Sequence, residues 1–340
     1  WYSNSVNSNS SGQILLGETA PSFTPPVTTN GTVYYYCVVS QGAANTGCLV
    51  QSAPAMITTN AAPNFTSQPL GFQEACVGGT LANLTVGYTG GSTNPTYQWY
   101  SSATNNNTGG TPIIGANSAT YLPPNTTAGT NYYYCVISFP SISCTTITSA
   151  VVEVLIHADP IISLQPMANQ AICFGTTLNQ PLENGYTGGY GTPSYQWSAV
   201  DNGNPIIIGQ ATNSTYLPPV FNVSSTFYYQ AQLTLSGNGC DVQLSNLAEV
   251  IVAPVPNIDS VESFLYCNGD LSDLIEFNGT IANTTYYWEN DNPAIGLAAN
   301  GFGNIVPFTV TNMNNFGLTG NITVTPQVTI YNTVCSGTPA

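Results

Sequence analysis

Short stretches in which apolar and polar residues alternate are separated along this chain by clusters of Gly, Asn, Ser, Thr and Pro. Residues 81–88, 131–138 and 145–156 are rich in Leu, Val, Ile, Tyr and Thr, which fit a pleated, half-buried strand. Turn-forming runs such as 88–92 (YTGGS) and 105–110 (NNNTGG) lie between them. No window has a sustained helical period. The pattern therefore predicts an all-β chain of short strands.

The strand pattern is duplicated along the chain, which indicates a tandem array. Tyr97-Gln98-Trp99 returns 98 positions later as Tyr195-Gln196-Trp197, and Tyr286-Tyr287-Trp288 marks a diverged copy. Pro-containing joints separate the copies. The predicted divisions are a partial repeat that lacks its N-terminal strands (1–61), two full repeats (62–158 and 159–254) and a variant repeat (255–340). The partial first repeat suggests a slice of a longer array.

Each full repeat has the size and the strand spacing of an immunoglobulin-like β-sandwich. We expect Trp99, Trp197 and Trp288 to lie in the cores of successive repeats. Tyr133 precedes Cys135 by two residues, the spacing of a tyrosine corner. The predicted fold class is thus all-β, with tandem immunoglobulin-like sandwiches arranged end to end.

The charge balance excludes some functions. The chain has no Lys or Arg, 15 acidic residues and one His, for a formal net charge of −15. Nucleic-acid binding depends on cations that neutralise phosphates, so no nucleic-acid partner is expected. No apolar run reaches the roughly 20 residues of a membrane-spanning helix, so we expect no direct membrane insertion.

Candidate catalytic and metal-binding groups are sparse. The single imidazole, His157, lies beside a domain joint, and no recognised catalytic motif occurs, so no enzyme is predicted. Acidic residues gather between 259 and 276, where Asp270 and Asp273 could contribute to a calcium site. Their spacing matches no known calcium loop, and a solvated acidic face is the favoured interpretation.

The nine cysteines recur with the repeats, which indicates disulfides and an oxidising compartment. One early and one late cysteine occur in every complete copy, and Gln230 is aligned with Cys135 in the third. We therefore predict three bridges within repeats: Cys76–Cys144, Cys173–Cys240 and Cys267–Cys335. This scheme leaves Cys37 and Cys135 free. The alternative is a hairpin bridge in each of the first two repeats, Cys37–Cys48 and Cys135–Cys144.

Consecutive tyrosines raise the question of a ligand surface. Because side chains alternate between the two faces of a strand, Tyr132 and Tyr134 should point away from the core side occupied by Tyr133. Outward aromatic rings could stack on sugars. Cross-strand packing on the sheet surface is the favoured alternative.

Residues 97–138 (YQWYSSATNNNTGGTPIIGANSATYLPPNTTAGTNYYYCVIS) resemble immunoglobulin-like repeats of giant Bacteroidota surface proteins. The last copy, with FNGT, YYWENDNPAIGLAANGFGNI and PFTVTN, resembles the PKD-like repeat found beside them. Such proteins include gliding-motility adhesins exported by the type IX system. The resemblance implies a long stalk on the bacterial cell surface and no catalytic residues.

Two functions follow as hypotheses. In the first, the chain is a structural shaft segment of an extracellular adhesin or filament, whose partners are neighbouring repeats and other filaments. In the second, the repeats bind surface polysaccharide or another partner directly.

Overall fold

The computed structural model describes residues 1–41, 48–140 and 146–340. It divides into two units, Trp1–Ile156 and His157–Ala340. Within the described residues the secondary structure is β-strand apart from one short 3-10 helix, Pro293–Ile295. The chain is therefore an all-β protein of tandem immunoglobulin-like sandwiches, as its strand pattern predicts. The four-repeat boundaries remain a prediction, and the names first to fourth repeat below refer to residues 1–61, 62–158, 159–254 and 255–340.

The first unit contains the strands of the first and second repeats. The first repeat holds β1 (Tyr2–Asn4), β2 (Gln13–Ile14), β3 (Gly31–Tyr36), β4 (Val38–Ser40), β5 (Leu49–Gln51) and β6 (Ala55–Thr59). The second repeat holds β7 (Asn64–Ser67), β8 (Phe72–Cys76), β9 (Leu84–Thr85), β10 (Gly87–Thr89), β11 (Thr96–Ser102), β12 (Thr111–Pro112), β13 (Thr120–Tyr121), β14 (Gly129–Ser138), β15 (Ile147–Thr148) and β16 (Val152–His157).

The second unit continues the same plan. The third repeat holds β17 (Ile161–Leu164), β18 (Gln170–Cys173), β19 (Leu182–Glu183), β20 (Gly185–Thr187), β21 (Pro193–Asp201), β22 (Asn204–Ile207), β23 (Thr215–Tyr216), β24 (Thr226–Leu235), β25 (Gln243–Leu244) and β26 (Ala248–Ala253). The fourth repeat holds β27 (Thr285–Asn290), β28 (Asn300–Phe302), β29 (Ile322–Ile330) and β30 (Thr333–Ser336).

The second and third repeats share one sheet order. The larger sheet runs β12-β11-β14-β16-β8 in the second repeat and β22-β21-β24-β26-β18 in the third. The pairs β7-β10 and β9-β13 of the second repeat correspond to β17-β20 and β19-β23. In both repeats the last strand of the larger sheet therefore lies between the long central strand and an early strand.

The core of each full repeat forms around its tryptophan. Trp99 and Trp197 have no exposed surface, and Trp288 is also buried. Alternate residues of the last strand, Val152, Val154 and Ile156, point into the Trp99 core. This alternation is what one buried sheet face requires.

The structure corrects one alignment made from the sequence. Trp99 lies opposite Cys135, whereas Trp197 lies opposite Ala231, so Gln230 is not the counterpart of Cys135. The connection before the central strand is one residue longer in the third repeat, which makes Tyr229 the counterpart of Tyr133. A slip of one position would turn the buried residues of β24 toward solvent, and burial of the apolar face therefore fixes this register.

Candidate functional site

Each full repeat fixes its tryptophan by a hydrogen bond from the indole. The indole Nε1–H of Trp99 donates to the Ser118 carbonyl at 2.9 Å, and that of Trp197 donates to the Asn213 carbonyl at 3.0 Å. The Trp288 Nε1 has no partner among the described residues. The second and third repeats are thus the regular members, and the fourth departs from their internal order.

A buried serine lies between the last two strands of each full repeat and bonds the long central strand. The Ser149 Oγ accepts the backbone N–H of Cys135 at 2.9 Å and donates to the Ala150 carbonyl at 2.9 Å. Ser245 makes the equivalent bonds to Ala231 and Asn246. The sequence interpretation missed both serines. Each serine follows the residue that lies opposite the tryptophan by the same number of positions, and this repeated offset was the available signal.

Replacing Ser149 by Ala should destabilise the second repeat by about 1–3 kcal/mol, because a buried backbone N–H and a carbonyl lose their partner. The measurement is hydrogen exchange of β14, converted to an opening free energy. Ser214→Ala is the control, since this side chain is exposed and is expected to matter little. Equal exchange in the two variants would contradict a role for the Ser149 hydroxyl.

Tyr132 and Tyr134, the predicted sugar-facing pair, do not both present an exposed ring. Tyr134 is only 3% exposed. Its ring stacks on Tyr100 with centroids 5.1 Å apart, and its hydroxyl accepts the backbone N–H of Gly110 at 2.9 Å. The prediction for Tyr134 is therefore wrong, because the 102–110 connection folds over the outer face of the sheet. Tyr132 is half-buried and lies opposite Glu153.

Buried aromatic and thiol groups in the cores have high pKa values. Burial raises the pKa of Tyr133 and of Tyr229 to about 12, with a smaller contribution from a neighbouring tyrosine in each case. Burial also raises the pKa of the Cys135 thiol to about 12, although a backbone N–H from Gln98 acts in the opposite direction. These groups stay neutral at physiological pH.

Cys135 should resist alkylation in the native protein, because it is buried and its thiolate is suppressed. Cys267 is free and exposed, so it should react at pH 8. Mass spectrometry after iodoacetamide treatment, with and without denaturant, checks both. Native labelling of Cys135 as fast as that of Cys267 would contradict the buried position.

The most distinctive site joins the third and fourth repeats within the second unit. Cys173, at the end of β18, forms a disulfide with Cys335 on β30, with Cα atoms 5.4 Å apart and a sequence separation of 162. Cys173 lies beside Ala253, because β18 runs parallel to β26. The hairpin of β29 and β30 therefore reaches back to the third repeat.

Side chains around this disulfide reinforce the joint. Ala253, Val328 and Cys335 are buried together, with Cys173 and Ile330 packed against them. The Thr333 hydroxyl donates to the Ala171 carbonyl at 2.9 Å. Apolar burial and a hydrogen bond thus accompany the covalent link.

A shared carboxylate adds a second tie across the joint. The hydroxyls of Tyr228 and Tyr331 donate to Glu249 Oε1 and Oε2 at 3.0 and 2.8 Å. These hydrogen bonds raise the pKa of both tyrosines above the ordinary phenol value. Tyr331 belongs to the fourth repeat and Glu249 to the third, so one carboxylate holds both repeats.

Close backbone approach also restricts the joint. A Cβ atom at Gly337 would overlap the Pro256 carbonyl oxygen, so no larger residue fits there without a shift. Pro256 is the second residue of the fourth repeat, directly after the third. The C-terminal segment of the fourth repeat is therefore packed closely on the backbone where that repeat begins.

The observed disulfide corrects the cysteine pairing. Cys173–Cys240 and Cys267–Cys335 are wrong, because Cys173 bonds Cys335 and Cys267 is free. The hairpin alternative is also wrong, because Cys37, Cys48 and Cys135 are free. Cys76 and Cys240 are disulfide-bonded. Cys144, the predicted partner of Cys76, lies outside the described residues.

The acidic residues considered for calcium have local partners. Asp270 Oδ2 accepts the backbone N–H of Cys267 at 2.7 Å, and Asp273 Oδ2 accepts the Tyr266 hydroxyl at 3.4 Å. In the part of the chain that the structure describes, no group of three or more His, Cys, Asp or Glu residues is arranged to hold a metal. These carboxylates organise a turn, and no metal site is proposed from them.

One family matches the chain twice. A model described as "Domain of unknown function (DUF8696)" matches residues 68–158 and residues 165–254, which together make up more than half of the chain. The chain belongs to the DUF8696 family. The two DUF8696 segments coincide with the two repeats that share the regular tryptophan and serine frame. No curated protein matches the chain.

Solved structures similar to this DUF8696 protein are arrays of immunoglobulin domains. Titin domains I67–I69 have 14% identity and a TM-score of 0.41, covering 82% of this chain and 98% of that one. Sidekick-1 domains 1–5 have 13% identity and a TM-score of 0.35, covering 92% and 66%. Extracellular domains 3–5 of Drosophila OTK have 16% identity and a TM-score of 0.35, covering 66% and 71%. Identity this low carries no function across.

Across the described ranges, no helix of this DUF8696 chain has the length and apolar character needed to cross a membrane.

Proposed function

We propose that this chain is a non-enzymatic shaft segment of a large extracellular adhesin or surface filament. The observation that carries the proposal is the Cys173–Cys335 disulfide between consecutive repeats. A covalent link across a joint limits how far two repeats can separate under load. A protein that spans distance outside a cell needs this property more than it needs a reactive pocket.

The cellular setting is part of the same proposal. Disulfides persist in oxidising compartments, which supports an extracellular location. The resemblance of residues 97–138 to repeats of Bacteroidota surface proteins supports a bacterial cell surface, export by the type IX system and a role in adhesion or gliding motility. Under this proposal the partners are neighbouring repeats and other filaments, and residues 255–340 act as a PKD-like variant repeat.

The carbohydrate-binding alternative has lost its main support. It depended on Tyr132 and Tyr134 as exposed rings, and Tyr134 is buried beneath the 102–110 connection. A shaft needs no such surface.

Pulling the full chain from its two ends tests the mechanical role. The segment from Cys173 to Cys335, a sequence separation of 162, should be withheld from extension while the disulfide is intact. At about 3.4 Å per residue, replacing both cysteines by Ser should release up to roughly 550 Å of additional length. Equal extension of the original chain and this double variant would overturn the load-limiting role.

Surface labelling tests the location separately. An antibody raised against this chain should bind intact producing cells. Binding only after the cells are permeabilised would contradict an extracellular shaft, whatever the pulling experiment gives.

A further inference from the structure

The fourth repeat departs from the two regular repeats on the outer face of its sheet. In the second and third repeats the residue before the core tryptophan is a glutamine, Gln98 or Gln196. Each glutamine amide donates to two backbone carbonyls of its own repeat, at 2.8 or 2.9 Å. The fourth repeat has Tyr287 at this position, directly before Trp288. A side chain that binds its own backbone is thus replaced by an aromatic ring.

Tyr287 and Phe302 form an exposed aromatic pair. The two residues lie opposite each other on β27 and β28, and their ring centroids are 5.0 Å apart. Phe302 is 72% exposed, and Tyr287 is half-buried. Because an aromatic ring stabilises a fold by being buried, a Phe ring that keeps most of its surface in water contributes little to this repeat. The pair is therefore available for contact with another molecule.

The stacked tyrosines of the second repeat are not open in this way. Tyr134 is 3% exposed, because the connection that contains Gly110 folds over the outer face of that sheet. In the fourth repeat the neighbours of the aromatic pair on the outer face, Glu289, Asn300 and Thr323, are all exposed. The described chain thus leaves this outer face uncovered.

A row of polar groups lies beside the aromatic pair. Glu289 is opposite Asn300 on β28 and opposite Thr323 on β29. Residues two apart on a strand share a face and are about 7 Å apart, so this row runs alongside Tyr287 and Phe302. Glu289 Oε1 accepts the Tyr287 hydroxyl at 3.1 Å, and none of the described residues donates to Oε2. The second carboxylate oxygen, the Asn300 amide and the Thr323 hydroxyl can therefore bond a ligand.

The charge of this face restricts the ligand. Glu289 makes the face negative, and the chain has no Lys or Arg that could balance an anionic ligand. A carboxylate accepts hydrogen bonds from hydroxyl groups more strongly than a neutral acceptor does, and it repels other anions. The complementary ligand is therefore rich in hydroxyl groups and carries no negative charge.

We propose that the outer face formed by Tyr287, Glu289, Asn300, Phe302 and Thr323 binds a neutral, β-linked polysaccharide. The C–H face of one sugar ring stacks on Phe302, and its hydroxyls bond Glu289 Oε2, Asn300 and Thr323. Three adjacent strands give an open surface about 10 Å wide, which suits an extended sugar chain. This site is separate from the second-repeat tyrosines, and it does not depend on the shaft function.

Titration of the full chain with oligosaccharides, followed by saturation-transfer NMR, tests the proposal. The probes are the hexamers of β-1,4-linked glucose, mannose and xylose, and the hexamer of galacturonic acid is the anionic comparison. At least one neutral hexamer should bind, and the anionic hexamer should bind at least about ten-fold more weakly. Failure of all three neutral hexamers to bind would overturn the proposal, as would equal or tighter binding of the anionic hexamer.

Variants of the exposed rings locate the site. Phe302→Ala should weaken binding of the neutral hexamer by at least about ten-fold, because the aromatic anchor is lost, whereas Phe302→Trp should retain binding. Phe316→Ala is the matched control, since Phe316 is 70% exposed and lies outside the strands of this face. Glu289→Gln should weaken binding by about three-fold or more. Equal affinities of the two Ala variants would overturn the site.

Discussion

Replacing Cys173 and Cys335 together by Ser should lower the opening free energy of β18 and β30 by about 2–5 kcal/mol. The disulfide closes a loop over 162 positions, for which the chain-entropy relation gives about 5 kcal/mol as the upper end. The Glu249 carboxylate shared by two tyrosines and the apolar cluster remain in the variant. The loss of opening free energy can therefore be as small as about 2 kcal/mol. Hydrogen exchange of the two strands gives the opening free energy directly.

Cys267→Ser is the matched control for this change. Cys267 is exposed and free, so its replacement should alter the same opening free energy by less than about 0.5 kcal/mol. If the double variant behaves like the control, the disulfide does not hold the joint. A reducing agent added to the original chain should lower this opening free energy at least as far, because it also breaks the disulfide bonds of Cys76 and Cys240.

Trp197→Ala should destabilise the third repeat by about 3–5 kcal/mol. The indole is completely buried against Leu182, Ala231 and Val250, and its Nε1–H bonds the Asn213 carbonyl. Truncation would leave a large cavity and an unpaired carbonyl. Hydrogen exchange of β24 is the measurement, since this strand lies directly opposite β21.

Leu217→Ala is the control for the tryptophan change, because this large apolar residue is 51% exposed. It should change the exchange of β24 only slightly. Similar losses in the two variants would mean that Trp197 does not organise the core of the repeat.

The repeating parts of the fold were readable from the sequence because they depend on local pattern. Alternating apolar positions fix which face of a strand is buried, and Trp99 and Trp197 lie where that alternation places them. The tyrosine run was harder to interpret. Alternation correctly places Tyr134 and Tyr133 on opposite faces of the strand. The burial of Tyr134, however, depends on Gly110, which lies in a connection whose path no periodicity encodes.

The cysteine pairing could not be read from spacing for a related reason. An early and a late cysteine occur in each complete copy, so a bridge within one repeat and a bridge to the next use the same kinds of residue. The choice depends on where the hairpin of β29 and β30 points, which is a tertiary property.

Disulfide mapping tests the account most directly, because the proposed function rests on the covalent bond between consecutive repeats. The chain contains no Lys or Arg, so the unreduced protein must be digested with pepsin and not with trypsin. We predict a linked pair of peptides that contains Cys173 and Cys335. Linked peptides that join Cys173 to Cys240, or Cys267 to Cys335, would place the bridges within single repeats and contradict the account.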